Sequence, residues 1–265
     1  MTVREAIALL TEAQVSSAEH DARALAAYAE STGADFGELV RRRAGRVPLQ
    51  HLVGSVGFRY IDLLVGPGVF VPRPETEVVA GFAIDLAKGV GLEPLVVDLC
   101  SGSGAIALCV ANEVPTATVH AVELDPDAYV WLTSNAKARA DAGDVRIETV
   151  CADITDALHA LDGKVDVVVA NPPYVPDEEM ALVDPEVRDH DPRLALVAAD
   201  GGLAVIRGVA AVAMRLLKPG GWIVAEHSDR QGDSAPGVLQ QAGFVSVRDE
   251  RDLTGRPRVA IGQKP

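Results

Sequence analysis

Apolar residues in the first third of the chain recur at helical spacing. Val3, Ala6, Ile7 and Leu10 form one stripe behind Thr2 and Glu5, a capping-box pair, so the chain is expected to open on a helix. Ser16 and Glu19 repeat the signature ahead of Ala22, Leu25, Ala26 and Ala29, which predicts a second amphipathic helix ending near Gly33. A third helical piece around Phe36, Leu39 and Val40 runs into Arg41, Arg42, Arg43 and Arg46. Those arginines suit either a solvated last turn, where positive charge complements the helix dipole, or a patch that meets an acidic or RNA-bearing partner. From Val53 to Val71 the pattern changes to short extended runs among Gly54, Gly57, Gly66 and Gly68, which predicts a hairpin-like connector with glycine turns. Pro74 then marks the start of a new helix.

Beyond it, strand and helix patterns alternate. Leu95–Leu99, Thr118–Glu123, Val145–Val150 and Val165–Ala170 read as strands, with helices over Ala105–Ala111 and Pro126–Ala140 between the first three. Leu203–Leu217 reads as a long helix ended by Pro219, Gly220 and Gly221, followed by a fifth strand at Trp222–Glu226. Phe244–Val247 and Val259–Ile261 read as a closing pair. This order predicts a doubly wound α/β sheet behind a small helical front section. The fourth strand carries three consecutive valines and no charge after Asp166, the pattern of a strand buried on both faces.

Composition narrows the class. The chain has 265 residues, 48% of them hydrophobic, enough for a substantial core. No apolar run approaches the length of a membrane span, and charges stand where a signal peptide would be apolar, so a cytoplasmic protein with no membrane partner is expected. Cys100, Cys109 and Cys151 form no paired framework and are expected to be packing residues; neither they nor the six histidines show metal-ligand spacing, and no metal is expected. A net charge of −14 argues against a protein that grips phosphate backbones.

Chemistry concentrates at two turns. The fourth strand stops at Asn171, Pro172, Pro173 and Tyr174. Neither proline can extend a sheet ladder, so this is a stiff corner at a strand's carboxyl end, the edge where ligands bind in open α/β sheets. The Asn171 side-chain oxygen and the Pro172 carbonyl offer two acceptors to a planar NH2 group, and Tyr174 offers a ring to stack on it. An amide nitrogen is a poor nucleophile, and two aligned acceptors both orient it and favour the charge that develops there. The second turn is Asp98, Leu99, Cys100, Ser101, Gly102, Ser103 and Gly104, ahead of a helix, with Glu123 at the end of the next strand placed to accept from ribose hydroxyls. Gly102, Gly104 and Ala107 match a dinucleotide fingerprint. S-adenosylmethionine sites share that turn and add a carboxylate early in it, here Asp98, for the ammonium group. They also use an acid after the third strand for the adenine amino group, here Asp153 with apolar Ile154 beside it. Acids after three successive strands favour the methyl donor over NAD.

With these residues assembled, the chain resembles the protein-(glutamine-N5) methyltransferase family that modifies peptide chain release factors. The resemblance rests on PLQHLVGSVGF at Pro48–Phe58, VFVPRPETE at Val69–Glu77, the loop from Asp98 to Gly104 and NPPY at Asn171–Tyr174, with weaker echoes at Asp191–Pro192 and Glu226–Gln231. It implies a helical substrate-recognition domain over residues 1–52, a β-hairpin linker over 53–73 and a class I methyltransferase domain over 74–265. It further implies that Cys100 to Gly104, Glu123, Ile154 and Asn171 contact S-adenosylmethionine. Asn171 to Tyr174 would then hold the glutamine of a release factor's Gly-Gly-Gln tip. Arg73 to Glu77 are expected nearby without an assigned contact, and a monomer is expected. Three residues depart from the family pattern: Cys100 for a glycine, Ile154 for an aromatic and Asp191 for a glutamate. Other readings are a sister enzyme acting on a ribosomal-protein glutamine, a nucleic-acid N6-adenine methyltransferase, an NAD-dependent oxidoreductase and a binding-only protein. Neither Tyr129 nor Tyr174 is followed four residues on by the lysine of a short-chain dehydrogenase.

Overall fold

The computed structural model describes residues 1–265 and begins with four helices, α1 (Val3–Glu12), α2 (Ala18–Thr32), α3 (Phe36–Ala44) and α4 (Leu49–Val53). At α1 the capping box forms in both directions, the Thr2 hydroxyl accepting from the Glu5 N–H and the Glu5 carboxylate from the Thr2 N–H. At α2 the expected box is absent. The N-cap is Ser17, one residue later, with no side-chain cap; the third helical position is then His20, and Glu19 pairs with Arg23 on the surface. Ala6, Leu10, Ala22, Leu25, Leu39, Val40 and Leu52 close a core of their own among these helices.

The arginine cluster divides. Arg41 pairs with Glu38 on the surface, as a solvated last turn should. Arg43 does neither of the things expected of it: it is 3% exposed, its Nε meets Asp21 at 2.7 Å and its Nη2 meets Glu186 at 2.8 Å. Arg46 adds a bond to Asp184 at 2.9 Å. These side chains fasten the helical front to a segment far along the chain.

β1 (Ser55–Phe58) and β2 (Ile61–Leu64) form the expected hairpin, but its turn falls on Arg59 and Tyr60 and not on a glycine. Arg59 adopts the positive φ of 51° that the turn needs, and its guanidinium is held by Glu113 and the Glu77 carbonyl. Phe58, Ile61 and Leu63 plug into the main core, so the hairpin is a packed element and not a loose connector.

α5 (Pro74–Val90) starts with proline at its first turn. Then follow β3 (Leu95–Leu99), α6 (Ala105–Glu113), β4 (Thr118–Glu123), α7 (Pro126–Asp141), β5 (Glu148–Cys151) and β6 (Val165–Ala170). β5 begins three residues later than expected, where pairing with β4 starts at His120 opposite Glu148. Ahead of it, Asp144 is held in a loop by Arg139 and Asn112. Two short helices, α8 (Pro185–His190) and α9 (Arg193–Leu196), and a kinked turn, α10 (Ala199–Gly202), in which Asp200 and Gly201 take positive φ, lack the periodicity that would predict them and lead into α11 (Ala204–Leu216). Pro219, Gly220 and Gly221 do not end that helix. They loop out within β7 (Leu217–Glu226), which pairs with β6 at Val165–Leu217 and resumes at Val167–Trp222. α12 (Ser234–Gln241), also unexpected, precedes β8 (Val245–Arg251) and β9 (Pro257–Gln263).

The seven strands lie in the order β5-β4-β3-β6-β7-β9-β8, with only β9 antiparallel. Every residue of β6 is buried, and successive side chains serve opposite faces: Val167 and Val169 meet the α5 and α6 side, Val168 and Ala170 the α11 and α12 side. No helix is long and apolar enough to cross a membrane.

Candidate active site

β3 and β6 are neighbours, with Leu99 opposite Ala170. The chain leaves β3 toward β4 on one side and leaves β6 toward β7 on the other, which opens a crevice at their carboxyl ends. A cavity of about 540 Å³ fills it. Its wall includes Asp98, Cys100, Ser101, Gly102 and Ser103 from the first turn, Glu123, Asp153 and Ile154 from the next two strand ends, and Asn171, Pro173 and Tyr174 from the corner. Two expected site residues are not on that wall. Gly104 caps α6 at φ +86°, where a Cβ would sit 2.7 Å from the Leu132 side chain, so its glycine serves packing. Pro172 is buried behind the corner. Cys100 takes the departure from glycine at a real steric cost, with φ at +62°. Cys109 is buried as expected, whereas Cys151 is exposed at the end of edge strand β5 and fills no core.

The three acids are held differently. Asp98 is 1% exposed; its Oδ2 accepts from the Ala107 N–H at 3.2 Å, while its Oδ1 has no protein partner. Burial raises its pKa to about 7. Because the folded value lies above the ordinary one, this group contributes stability at low pH that is lost as the pH rises through about 7. Asp98→Asn is therefore expected to raise the melting temperature of the cofactor-free protein at about pH 8, with the gain shrinking toward about pH 5. Calorimetry at the two values checks this, and an equal gain at both would rule out the assigned cause.

Glu123 accepts from the Gly102 N–H at 2.7 Å through one oxygen and from the Asp125 N–H at 2.8 Å through the other. It thus sets the glycine turn as well as facing the cavity, and burial raises its pKa. Asp153 spends Oδ1 on the Thr155 N–H and hydroxyl, which lower its pKa, and leaves Oδ2 uncommitted.

The corner is built from residues far apart in sequence. Asn171 Nδ2 donates to Thr76 Oγ1 at 3.2 Å, the Thr76 hydroxyl donates to Glu226 Oε2 at 2.7 Å, and the Tyr174 hydroxyl donates to Glu226 Oε1 at 3.3 Å. Glu226 is 2% exposed, and burial raises its pKa to about 7. Behind Tyr174, Gly202 lies so close that a Cβ would fall 2.2 Å from the Tyr174 carbonyl oxygen, which also receives Gln231 Nε2 at 3.4 Å. Arg73 lines the cavity, stands 5.1 Å over the Phe70 ring, and donates at 2.6 Å to Asp191, whose side chain is fully buried. The only sequence signals for Arg73, Thr76, Asp191, Glu226 and Gln231 were the family motifs around them; no spacing rule connects them.

The cavity fits a nucleoside bearing a cationic amino acid. An uncompensated carboxyl oxygen at Asp98 suits an ammonium group, Glu123 at the end of β4 suits a ribose, and Asp153 beside Ile154 suits an adenine edge and face. The strand order and this donor set define a class I S-adenosylmethionine-dependent methyltransferase.

Comparison with known proteins narrows the class. The methyltransferase small domain family model matches residues 80–187. The release factor glutamine methyltransferase of Streptomyces coelicolor is 47% identical over 99% of this chain and 96% of its own. That of Bifidobacterium longum is 41% identical over 97% of this chain and 96% of its own. The crystal structure of M. jannaschii TYW2 in complex with AdoMet shares the fold at 16% identity, with a TM-score of 0.51 over 79% of this chain and 84% of its own. The chain belongs to the release factor glutamine methyltransferase family.

Proposed function

We propose that this enzyme methylates the side-chain nitrogen (N5) of the glutamine in the Gly-Gly-Gln tip of a peptide chain release factor. The observation that carries the reading is the Asn171 amide, whose nitrogen is committed to Thr76 so that its oxygen is the group free to meet a substrate NH2. When bound, S-adenosylmethionine supplies a methyl group activated by its sulfonium. Asp98, Glu123 and Asp153 would hold its ammonium, ribose and adenine groups, and the Cys100–Ser103 turn and Ile154 would line its body. Asn171 Oδ1 accepts from the glutamine NH2, and the Tyr174 ring with Pro173 confines its plane, while Pro172, buried behind the corner, stiffens the turn. The glutamine nitrogen would form its bond to the methyl carbon as that carbon's bond to the sulfonium sulfur breaks, leaving S-adenosylhomocysteine with the bond's electron pair, and would release one proton to water. No dedicated base is needed, because the nitrogen becomes acidic as it is alkylated. Alignment of this kind can supply up to roughly 7–11 kcal/mol of a barrier.

In this reading α1 to α4 form the substrate-recognition domain, the hairpin links it to the methyltransferase domain that starts at Pro74, and the enzyme works as a cytoplasmic monomer without stable nucleic-acid binding. The net charge of −14 supports the last point against an N6-adenine methyltransferase. Intact-peptide mass spectrometry of a purified release factor, incubated with the enzyme and S-adenosylmethionine beside a Gly-Gly-Ala control, tests the substrate. One added methyl on the glutamine is expected. No added mass, with cofactor binding shown separately, would redirect the search to ribosomal proteins and then nucleic acid.

Glu123→Ala is expected to weaken S-adenosylhomocysteine binding roughly 100-fold, because it removes the ribose acceptors and frees the Gly102 and Asp125 N–H groups together. Titration calorimetry measures it, and a change below about threefold would remove Glu123 from the cofactor site.

A further inference from the structure

Within the corner, each proton is assigned by its neighbour. Thr76 has one hydroxyl proton, and that proton goes to Glu226 Oε2 at 2.7 Å. Toward Asn171, Thr76 can then only accept, so the Asn171 atom facing it must be the nitrogen, at 3.2 Å. An asparagine amide is nearly symmetric in shape and rotates to suit its neighbours, and a flipped Asn171 would present NH2 to the substrate's NH2. The same carboxylate takes the Tyr174 hydroxyl proton at 3.3 Å through Oε1. Three elements meet here: Thr76 comes from the first turn of α5, Glu226 from the carboxyl end of β7, and Asn171 and Tyr174 from the turn after β6.

We propose that Glu226 and Thr76 are positioning residues that fix the polarity of the Asn171 amide, so that the corner offers an acceptor and not a donor to the nitrogen being methylated. Neither residue needs to touch the substrate. The hydrogen-bond chain runs from a buried carboxylate through one hydroxyl to the group that does. This deepens the proposed glutamine methylation and rests on it; part of the test needs no substrate, so the two can fail separately.

The test compares Thr76→Val, which keeps the shape and removes the acceptor, with Thr76→Ser, which restores the hydroxyl. Assays run at about pH 8, above the value of about 7 to which burial raises Glu226. Thr76→Val is expected to lower kcat on the release factor at least about tenfold, with the Kd for S-adenosylhomocysteine within about twofold of the parent, and Thr76→Ser to recover it to within about threefold. In an Asn171→Ala background Thr76→Val should add nothing, since the amide it orients is gone. Independent of turnover, the Asn171 side-chain NH2 resonances should exchange slowly with water in the parent and Thr76→Ser and rapidly in Thr76→Val. Unchanged kcat in Thr76→Val, equal losses in the valine and serine variants, or rapid Asn171 amide exchange in the parent would each overturn the proposal. The exchange measurement on the parent stands even if Thr76→Val does not fold, and an inactive parent with a slow Asn171 amide would count against the substrate assignment alone.

Discussion

Asn171→Ala is expected to lower kcat roughly 1000-fold while leaving the Kd for S-adenosylhomocysteine within about threefold of the parent. The asymmetry follows from where the side chain acts. In the proposed site its oxygen accepts from the substrate nitrogen, whose positive character grows only as the new bond forms, so the interaction is stronger in the transition state than in either bound ground state. Removing one preorganised partner of developing charge costs about 2.7–4 kcal/mol in comparable sites. The acids proposed to hold the cofactor sit at three other strand ends, and their own hydrogen bonds do not involve Asn171. Single-turnover kinetics with a release factor, beside calorimetric cofactor binding, separates the two quantities. Equal losses in both would mean that Asn171 is chiefly a cofactor ligand and that the corner does not hold the substrate as assigned.

Arg43→Ala is expected to destabilise the protein by about 3–5 kcal/mol, because it takes the arginine from the buried Asp21 carboxylate and leaves it only the contact with His20. The side chains of Arg43 and Asp21 are only 4% and 5% exposed, so water cannot replace the lost pairing. The damage should not stay in the helical front. Glu186 sits in α8 next to Val187, which lines the cavity, and Arg43 holds Glu186 at 2.8 Å. Hydrogen exchange is therefore expected to rise in α2, α3 and α8 together, and the melting temperature to fall by several degrees. Arg43→Met combined with Asp21→Leu removes both buried charges and should recover most of the stability, though not the protection of α8, whose contact with Arg43 stays broken. A melting temperature unchanged in Arg43→Ala would show that the pair is solvated in solution.

These two residues show how unevenly the sequence discloses which side chains meet at the cavity and which hold the fold together. Asn171 was legible because its signal is local: an apolar strand, two prolines that fix the turn, and an aromatic, all contiguous. Asp98, Glu123 and Asp153 were legible for a related reason, since a parallel strand followed by a helix places whatever follows the strand at the ligand edge. Arg43 was misread as part of a charge run at a helix end. Its partners lie at positions 21 and 186, and nothing in the spacing of arginines reports a carboxylate that far away. Thr76 and Glu226 were hidden in the same way, 150 positions apart along the chain. Gly104 differs in the other direction: its place in a glycine fingerprint suggests ligand approach, but what favours glycine there is a φ of +86° and close packing against the Leu132 side chain of α7.

By itself, then, the sequence determined the alternation of strands and helices, the identity of the corner, the order of the acids and the family resemblance. These are properties of short contiguous stretches, in which period, proline and glycine act through local sterics. Only the tertiary structure decided which residues hold that corner in register. It placed the first turn of α5 against the end of β7, closed Gly202 onto the Tyr174 carbonyl, and tied an arginine of α3 to Glu186 of α8, next to the cavity-lining Val187. The physical reason is that burial and hydrogen-bond pairing depend on distance in space, and a parallel sheet with helical crossovers makes neighbours of residues that no local pattern connects.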